Sequence, residues 1–142
     1  MSRTATIYKF LDSINPDSRF STSLGVLEQT AENTIGIFVT GGNNSSRHRS
    51  LTTGKQIVRK ALVSFTVNGS KKGNSGTTRA LQLCEDFIAI LEETANTTYQ
   101  YAGNTLVIQQ VDILGDVKDA GLNKMQTPVF SFDIVIQYSH FK

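Results

Sequence analysis

Few residues in this sequence combine the side chains and the spacing that catalysis requires. His48 and His140 are the two imidazoles that can act as bases near neutral pH, and they lie far apart in the chain. Cys84, the single cysteine, falls on the apolar side of a predicted helix, where a free thiol is usually a small buried hydrophobic group. No neighbouring residue is of a kind that activates a thiol as a nucleophile. We therefore expect no catalytic site and no enzyme activity.

The patterns of metal and phosphate sites are also missing. One cysteine and two distant histidines give almost no support for a zinc site. Asp112, Asp116 and Asp119 lack the alternate spacing and the closing glutamate of a calcium loop, which favours solvated loop charges over a cation site. The pair Gly54-Lys55 is followed by glutamine and a predicted strand, whereas a phosphate-binding loop needs Ser or Thr and then a helix. We expect no metal and no cofactor.

Two polar, glycine-rich stretches carry the candidate binding residues. The first joins two predicted strands, and connections of this length in a small domain are usually functional or disordered. Arginine is favoured at interfaces because its planar fork makes paired hydrogen bonds to carboxylates or phosphates. A solvated hairpin tip is the alternative for the first stretch, and a mobile linker is the favoured alternative for the second. The candidate residues are Arg47, His48 and Arg49 in the first stretch (residues 41–54), Lys55 directly after it, and Lys71 and Lys72 in the second stretch (residues 69–76).

Composition predicts one domain over residues 1–142 and argues against several partners. The net charge of +2 is too small to indicate a nucleic-acid binder, and neither polar stretch interleaves aromatic residues for base stacking. No stretch approaches the roughly 20 apolar residues of a membrane-spanning helix.

The 18% charged content is low, and neutral polar residues make up the balance. Such a surface suits a protein that meets other subunits, although a neutral surface with no such purpose fits composition equally well.

Hydrophobic periodicity predicts two helices and four strands. Ile7, Phe10, Leu11 and Ile14 fall on one helical face, and Asn15-Pro16 should end that helix. The other predicted elements are strands at 34–40, 55–68, 106–114 and 130–138 and a helix at 77–94, with residues 115–127 as a loop.

This order predicts an α+β fold. We expect a two-layer sandwich, in which both helices lie on one face of a four-stranded, mainly antiparallel sheet. Sequential strands usually neighbour one another, which favours two hairpin-like pairs bridged by the second helix.

The order and local texture of the chain resemble the tail terminator family of long-tailed bacteriophages, whose members are often labelled minor capsid proteins. The resemblance covers nearly the whole chain, from the N-terminal helix and the strand ending in Gly41-Gly42 to the closing pair of strands. The segment Val111–Asp116, followed by Phe130–Ile134, is similar to the closing hairpin of that family.

The resemblance implies a structural virion protein in the tail or neck, assembled in the host cytoplasm. Such a protein forms a homohexameric ring on the last ring of tail-tube subunits. Its partners are copies of itself, the tail tube protein and the head-tail connector, with DNA passing through the ring and no specific nucleic-acid recognition. The six basic residues named above are then the expected contacts to these protein partners.

Two alternatives remain open. One is another neck or tail-completion protein, or the tail-tube protein itself, although a tube protein would usually carry a β-sandwich with more strands than the four predicted here. The other is a small cytosolic binding module, against which the weak charge surplus argues.

Overall fold

The computed structural model describes residues 3–25, 32–40, 58–70, 73–122 and 127–141, with the backbone alone for 73–75. They form two helices and six strands in the following order: α1 (Arg3–Ser13), β1 (Ser21–Leu24), β2 (Thr34–Thr40), β3 (Arg59–Asn68), α2 (Gly73–Glu92), β4 (Thr97–Tyr101), β5 (Asn104–Leu122) and β6 (Pro128–Phe141). None of the helices in these residues is long and apolar enough to cross a membrane.

All six strands join one sheet in the order β1-β2-β3-β6-β5-β4. The pair β1–β2 is parallel and the other four pairs are antiparallel, so the sheet is mixed. It curls into a half-barrel. The predicted two-layer sandwich, with a four-stranded antiparallel sheet and both helices on one face, is therefore wrong.

The two strands missed by the sequence are short and lie at the two edges of the sheet. β1 has the sequence STSL and β4 has the sequence TTYQY, and much of each is exposed. β1 lacks the alternation of apolar and polar residues on which strand prediction depends, whereas β4 shows it for Tyr99 and Tyr101 over only five residues. The predicted loop at 115–127 is also wrong in its first part, because β5 continues as far as Leu122.

Other predicted elements agree with the structure. β2 has the predicted bounds, and α1 ends at Ser13, before Asn15-Pro16. The side-chain amide of Asn15 donates to the backbone oxygen of Phe20, and its Oδ1 accepts from the backbone N–H of Asp17. These bonds hold the chain in a turn that leads from α1 into β1.

Alternate residues of the central strands β3 and β6 form the core. Phe65 lies opposite Phe132 in the β3–β6 register, and their rings stack with centroids 4.5 Å apart. Phe87 of α2 packs against both rings at 5.1 and 6.2 Å. Because successive side chains point to opposite faces of a strand, every second residue of β3 and of β6 lies in the same buried layer as these rings. This layer comprises Ala61, Val63, Phe65 and Val67 of β3 and Phe130, Phe132, Ile134 and Ile136 of β6, all buried.

Helix α1 closes the open side of the curled sheet, because it contacts strands near both edges. The hydroxyl groups of Tyr8 and Thr22 in β1 lie 2.9 Å apart, within hydrogen-bonding distance. The ring of Phe10 packs on Tyr99 of β4, with centroids 5.6 Å apart. β1 and β4 are the first and last strands of the sheet, so one helix ties its two edges together.

A tight turn joins β4 to β5 and sets where these two strands begin to pair. Ala102 and Gly103 both have positive φ, at 51° and 80°, as a two-residue turn with the twist of antiparallel strands requires. The side-chain amide of Asn104 donates to the backbone oxygens of Tyr101 and Ala102. β4 therefore pairs with β5 only from Asn104 to Ile108.

Truncating the central aromatic ring tests this description of the core. We expect Phe132→Ala to lower the free energy of unfolding by about 3–5 kcal/mol, because the ring is fully buried between Phe65 and Phe87. Phe141→Ala in the same strand is the matched control, since its side chain is half exposed, and it should cost less than about 1 kcal/mol. Urea denaturation measures both, and equal effects of the two changes would contradict the core assignment.

Candidate assembly surface

All six sequence-predicted contact residues, Arg47, His48, Arg49, Lys55, Lys71 and Lys72, lie outside the described residues. The strand between the two groups is described, however. β3 begins at Arg59, after the first four, and ends at Asn68, before the two lysines. These two ends lie about 30 Å apart at the rise of an extended strand. The two stretches are therefore attached at opposite ends of the sheet.

Two of the three residues considered for catalysis, Cys84 and His140, are among the described residues. Cys84 is buried in the core, and burial raises the pKa of its thiol to about 12, with the charge of Glu85 adding to the effect. His140 lies near the end of β6, where its Nε2 is 3.3 Å from the hydroxyl of Thr6 in α1. His48 lies outside the described residues. A thiol with so high a pKa is protonated at neutral pH, so Cys84 has the properties of a core residue.

The three aspartates considered for metal binding all lie on β5, and their side chains are exposed. In the part of the chain that the structure describes, no three His, Cys, Asp or Glu side chains gather as metal ligands would. Gln110 donates to Asp112 and the backbone N–H of Gly121 donates to Asp119, so two of these carboxylates have local partners.

The most distinctive surface is the outer side of β5. β4 covers β5 only as far as Ile108, whereas β5 continues to Leu122. Among the described residues, no strand and no other backbone group hydrogen-bonds to β5 on this side beyond Ile108. We call the outer backbone side of residues 109–122 the free edge of β5. An unpaired edge of this length presents a row of N–H and C=O groups that can pair with a strand from another chain.

The free edge carries both apolar and charged side chains. Leu114 and Leu122 are 43% and 61% exposed, which is high for leucine. Asp112, Asp116 and Lys118 lie among them and are also exposed. The ladder to β6 is irregular at Leu114/Lys118 and again at Asp119/Leu122. Charges and bulges protect an edge from random aggregation. A specific partner strand must therefore match the charges, which are mainly negative.

A groove of about 600 Å³ runs between α2 and the free edge. Leu81 and Ile88 of α2 and Ile113 and Val117 of β5 supply its apolar walls. We call it the α2–β5 groove. Its position beside the free edge means that one partner can pair with the backbone of β5 and place side chains in the groove.

Carboxylates line the α2–β5 groove. Glu85 and Glu92 project from α2, and Asp116 projects from β5. None of the three forms an ion pair within the described residues. The salt bridge found among those residues joins Arg19 to Asp17. α2 also has no basic residue in its last turn, although the C-terminal end of a helix carries partial negative charge and favours cations. The groove therefore has a negative potential that is uncompensated within the described part of the chain.

The outer edge of β4 differs from the free edge of β5, because a lysine side chain lies beside it. The ammonium of Lys9 lies over the ring of Tyr101, 5.4 Å from its centroid, and Tyr101 stacks on Tyr99. A lysine beside an edge strand opposes pairing with another chain, because its charge would have to lose water. Lys9 and the short length of β4 make this part of the edge a poorer acceptor than the free edge of β5.

A second pocket, between the turn after α1 and the first half of α2, has balanced charges. Arg19 and Arg79 face it together with Asp17 and Asp86. Arg19 donates to both oxygens of Asp17, and this hydrogen bonding holds the pKa of the Asp17 carboxyl below its usual range. The balance of charges leaves no clear preference for a ligand.

The free edge of β5 and the groove were not located from the sequence, although β5 carries a signal for both. Val111, Ile113 and Val117 share one side of β5 and are partly buried against the core. Their spacing continues the strand period past Gly115. The glycine, with a φ of 75°, and the nearby charges instead suggested a loop.

Comparison with known proteins adds no family assignment: no family model matches the chain, and no curated protein matches it.

The state of Cys84 gives a direct check on the packing of α2. We expect the native thiol to react with a disulfide reagent at least about a hundredfold more slowly than in the unfolded chain, because labelling requires local opening. The reaction is followed by absorbance in buffer at neutral pH, with guanidinium chloride as the unfolded control. Rapid labelling of the native protein would contradict the burial of Cys84.

The same thiol gives stability a dependence on pH. An unfolded thiol loses its proton near pH 8.5, whereas burial keeps the folded thiol protonated up to about pH 12. Its contribution is therefore complete below about pH 8.5 and is lost as the pH rises further. We expect wild-type stability to fall more steeply between about pH 8.5 and 10.5 than that of Cys84→Ala, as measured by urea denaturation. Parallel curves would argue against this assignment.

Proposed function

We propose that this protein is a structural subunit that assembles with copies of itself through the free edge of β5. The observation that carries the proposal is the length of β5 beyond its last pair with β4. An edge from residue 109 to residue 122, with exposed leucines and a groove beside it, can accept a strand between its irregular positions. Backbone pairing supplies affinity in such complexes, and side-chain pockets supply specificity.

The topology supports a ring as the form of assembly. β1 and β4 lie at opposite ends of the strand order, and the free edge of β5 lies on the β4 side. A ring requires two different patches on each subunit, one that meets the preceding copy and one that meets the next. The two sides of this sheet provide such different patches. A head-to-tail contact can close into a ring if the rotation between subunits permits it.

We further propose that the ring caps the growing tail tube of a long-tailed phage and forms the surface to which the head docks. This part rests on the resemblance to the tail terminator family, together with the assembly surface described above. In this role the subunit is found in the tail or neck of the virion, after assembly in the host cytoplasm. Its partners are itself, the tail tube protein and the head-tail connector.

A tail-tube or other neck protein is the second candidate. From the sequence, the four predicted strands argue against a tube protein, which usually carries a β-sandwich with more strands; the described residues form six strands, in one sheet. Strand number therefore no longer separates the two functions. They differ in the product of assembly: a terminator forms a single closed ring, whereas a tube protein adds ring upon ring into an open filament. A small binding module would form neither product.

Charge placed on the free edge tests the assembly proposal. We expect Leu114→Glu with Leu122→Glu to shift self-association to concentrations at least about tenfold higher, because buried unpaired carboxylates oppose strand pairing. Folding should be unchanged, since both side chains are exposed. Phe141→Glu is the matched control: its side chain is also half exposed, but it lies at the far end of β6. Light scattering over a concentration series measures the masses.

The wild-type chain should give a closed species of about six times 15.6 kDa, or the mass of a ring of another fixed size. Open-ended growth of the mass with concentration would favour the tube protein instead. A wild-type chain that remains monomeric throughout, and that also fails to cap purified tail tubes, would contradict the proposed function.

A further inference from the structure

We propose that the α2–β5 groove of one subunit binds the basic segment 47–55 of a second copy. This inference rests on the proposed self-assembly and names the part of the neighbouring chain that the assembly surface receives.

The receiving side is defined by what the groove offers. Leu81, Ile88 and Ile113 provide apolar contact, while Glu85 and Glu92 stand on the rim. Both glutamates are exposed, and neither pairs with a cation in the described part of the chain. Glu92 is the last residue of α2, where a negative charge opposes the helix dipole. The charge of Glu92 therefore destabilises the end of α2, and no cation among the described residues offsets this effect. An unfavourable charge of this kind is typical of a residue that binds a partner.

The donating side is defined by sequence. From Gly41 to Lys60 the chain contains no aspartate or glutamate, and Arg47, Arg49 and Lys55 carry positive charge. Arginine forms paired hydrogen bonds to a carboxylate, so two arginines match the rim glutamates in type as well as in sign. Leu51, which lies between Arg49 and Lys55, has an apolar side chain that suits the apolar walls of the groove. Complementary charge fixes partner and register more than it adds affinity.

The strand order suits a second copy as the source of the segment. The segment is attached to β2 and β3, whereas the groove lies on β5, with β6 in between. The attachment points and the groove are thus different patches of the subunit. A head-to-tail contact between identical subunits joins two different patches. A nucleic acid fits the groove poorly, because carboxylates on the rim repel phosphate.

A peptide titration tests the contact without requiring a ring. The probe is a fluorescent peptide with the sequence of residues 44–58, and binding is followed by anisotropy. The receptor is the full chain carrying Arg47→Ala, Arg49→Ala and Lys55→Ala, whose own segment no longer competes. The matched control adds Glu85→Gln, Glu92→Gln and Asp116→Asn to that receptor; these changes keep side-chain size and remove charge.

We expect the control receptor to bind the peptide at least about tenfold more weakly than the first receptor. Binding to the first receptor should also weaken as salt is raised from about 50 to about 500 mM, since the rim charges are exposed. Equal binding by the two receptors, or no binding at low salt, would overturn the proposal. The self-association of the wild-type chain is measured separately, so that loss of this contact and loss of the proposed function are distinguishable.

A mixing experiment decides between a second copy and the same chain. One full-length variant has the neutral groove (Glu85→Gln, Glu92→Gln, Asp116→Asn), and the other has the neutral segment (Arg47→Ala, Arg49→Ala, Lys55→Ala). Each retains one intact half of the contact. We expect a mixture to associate more strongly than either variant alone, as measured by energy transfer between terminal labels. Peptide binding without gain on mixing would mean that each chain fills its own groove, and would overturn the assignment to a second copy.

Discussion

The pairing of β6 with β3 on one side and β5 on the other is the interaction on which the rest of this structure depends. The β3–β6 register brings Phe132 onto Phe65, and Phe87 anchors α2 over both rings. A slip of one residue would turn all the buried side chains of β6 outward, so the core fixes this register strongly. The same strand then sets the position of β5, whose first residues pair with the last residues of β6.

The free edge exists because β5 is much longer than β4, the strand beside it. β5 must be long because it runs beside β6 down to Pro128, whereas β4 ends at the tight turn at Ala102 and Gly103. A long strand beside a short one leaves backbone unpaired, and α2 lies next to that part of β5 with its acidic side exposed. The groove and the free edge therefore share one origin in the sheet. Assembly through this surface would pair backbone groups that have no backbone partner among the described residues of the single chain.

The sequence predicts the centre of this fold better than its periphery. The alternation in β3 and β6 and the apolar stripe of α2 are strong signals because each of these elements has one buried side. β1 and β4 lie at the edges, where only one neighbouring strand constrains them, and with four and five residues they are too short to give a strong pattern. β5 beyond Leu114 contains charges and a glycine with positive φ. Tertiary pairing with β6, which no local pattern reveals, keeps this segment extended.

The candidate site divides in the same way. Basic side chains between predicted strands could be found by composition alone, and so Arg47 and Arg49 were singled out from sequence. The acidic groove could not be found in this way, because Glu92 and Asp116 become neighbours only when α2 packs beside β5. One half of a proposed contact was thus visible in the sequence, and the other half required the fold.

Hydrogen exchange of the β5 amides at low and high protein concentration tests the central claim most directly. In a single chain, the amides on the free edge from residue 109 to residue 122 lack backbone partners among the described residues and should exchange quickly. The account predicts that these amides become protected as the protein assembles, while protection in β3 stays unchanged. Assembly that leaves the free edge exchanging as fast as in the single chain would contradict it.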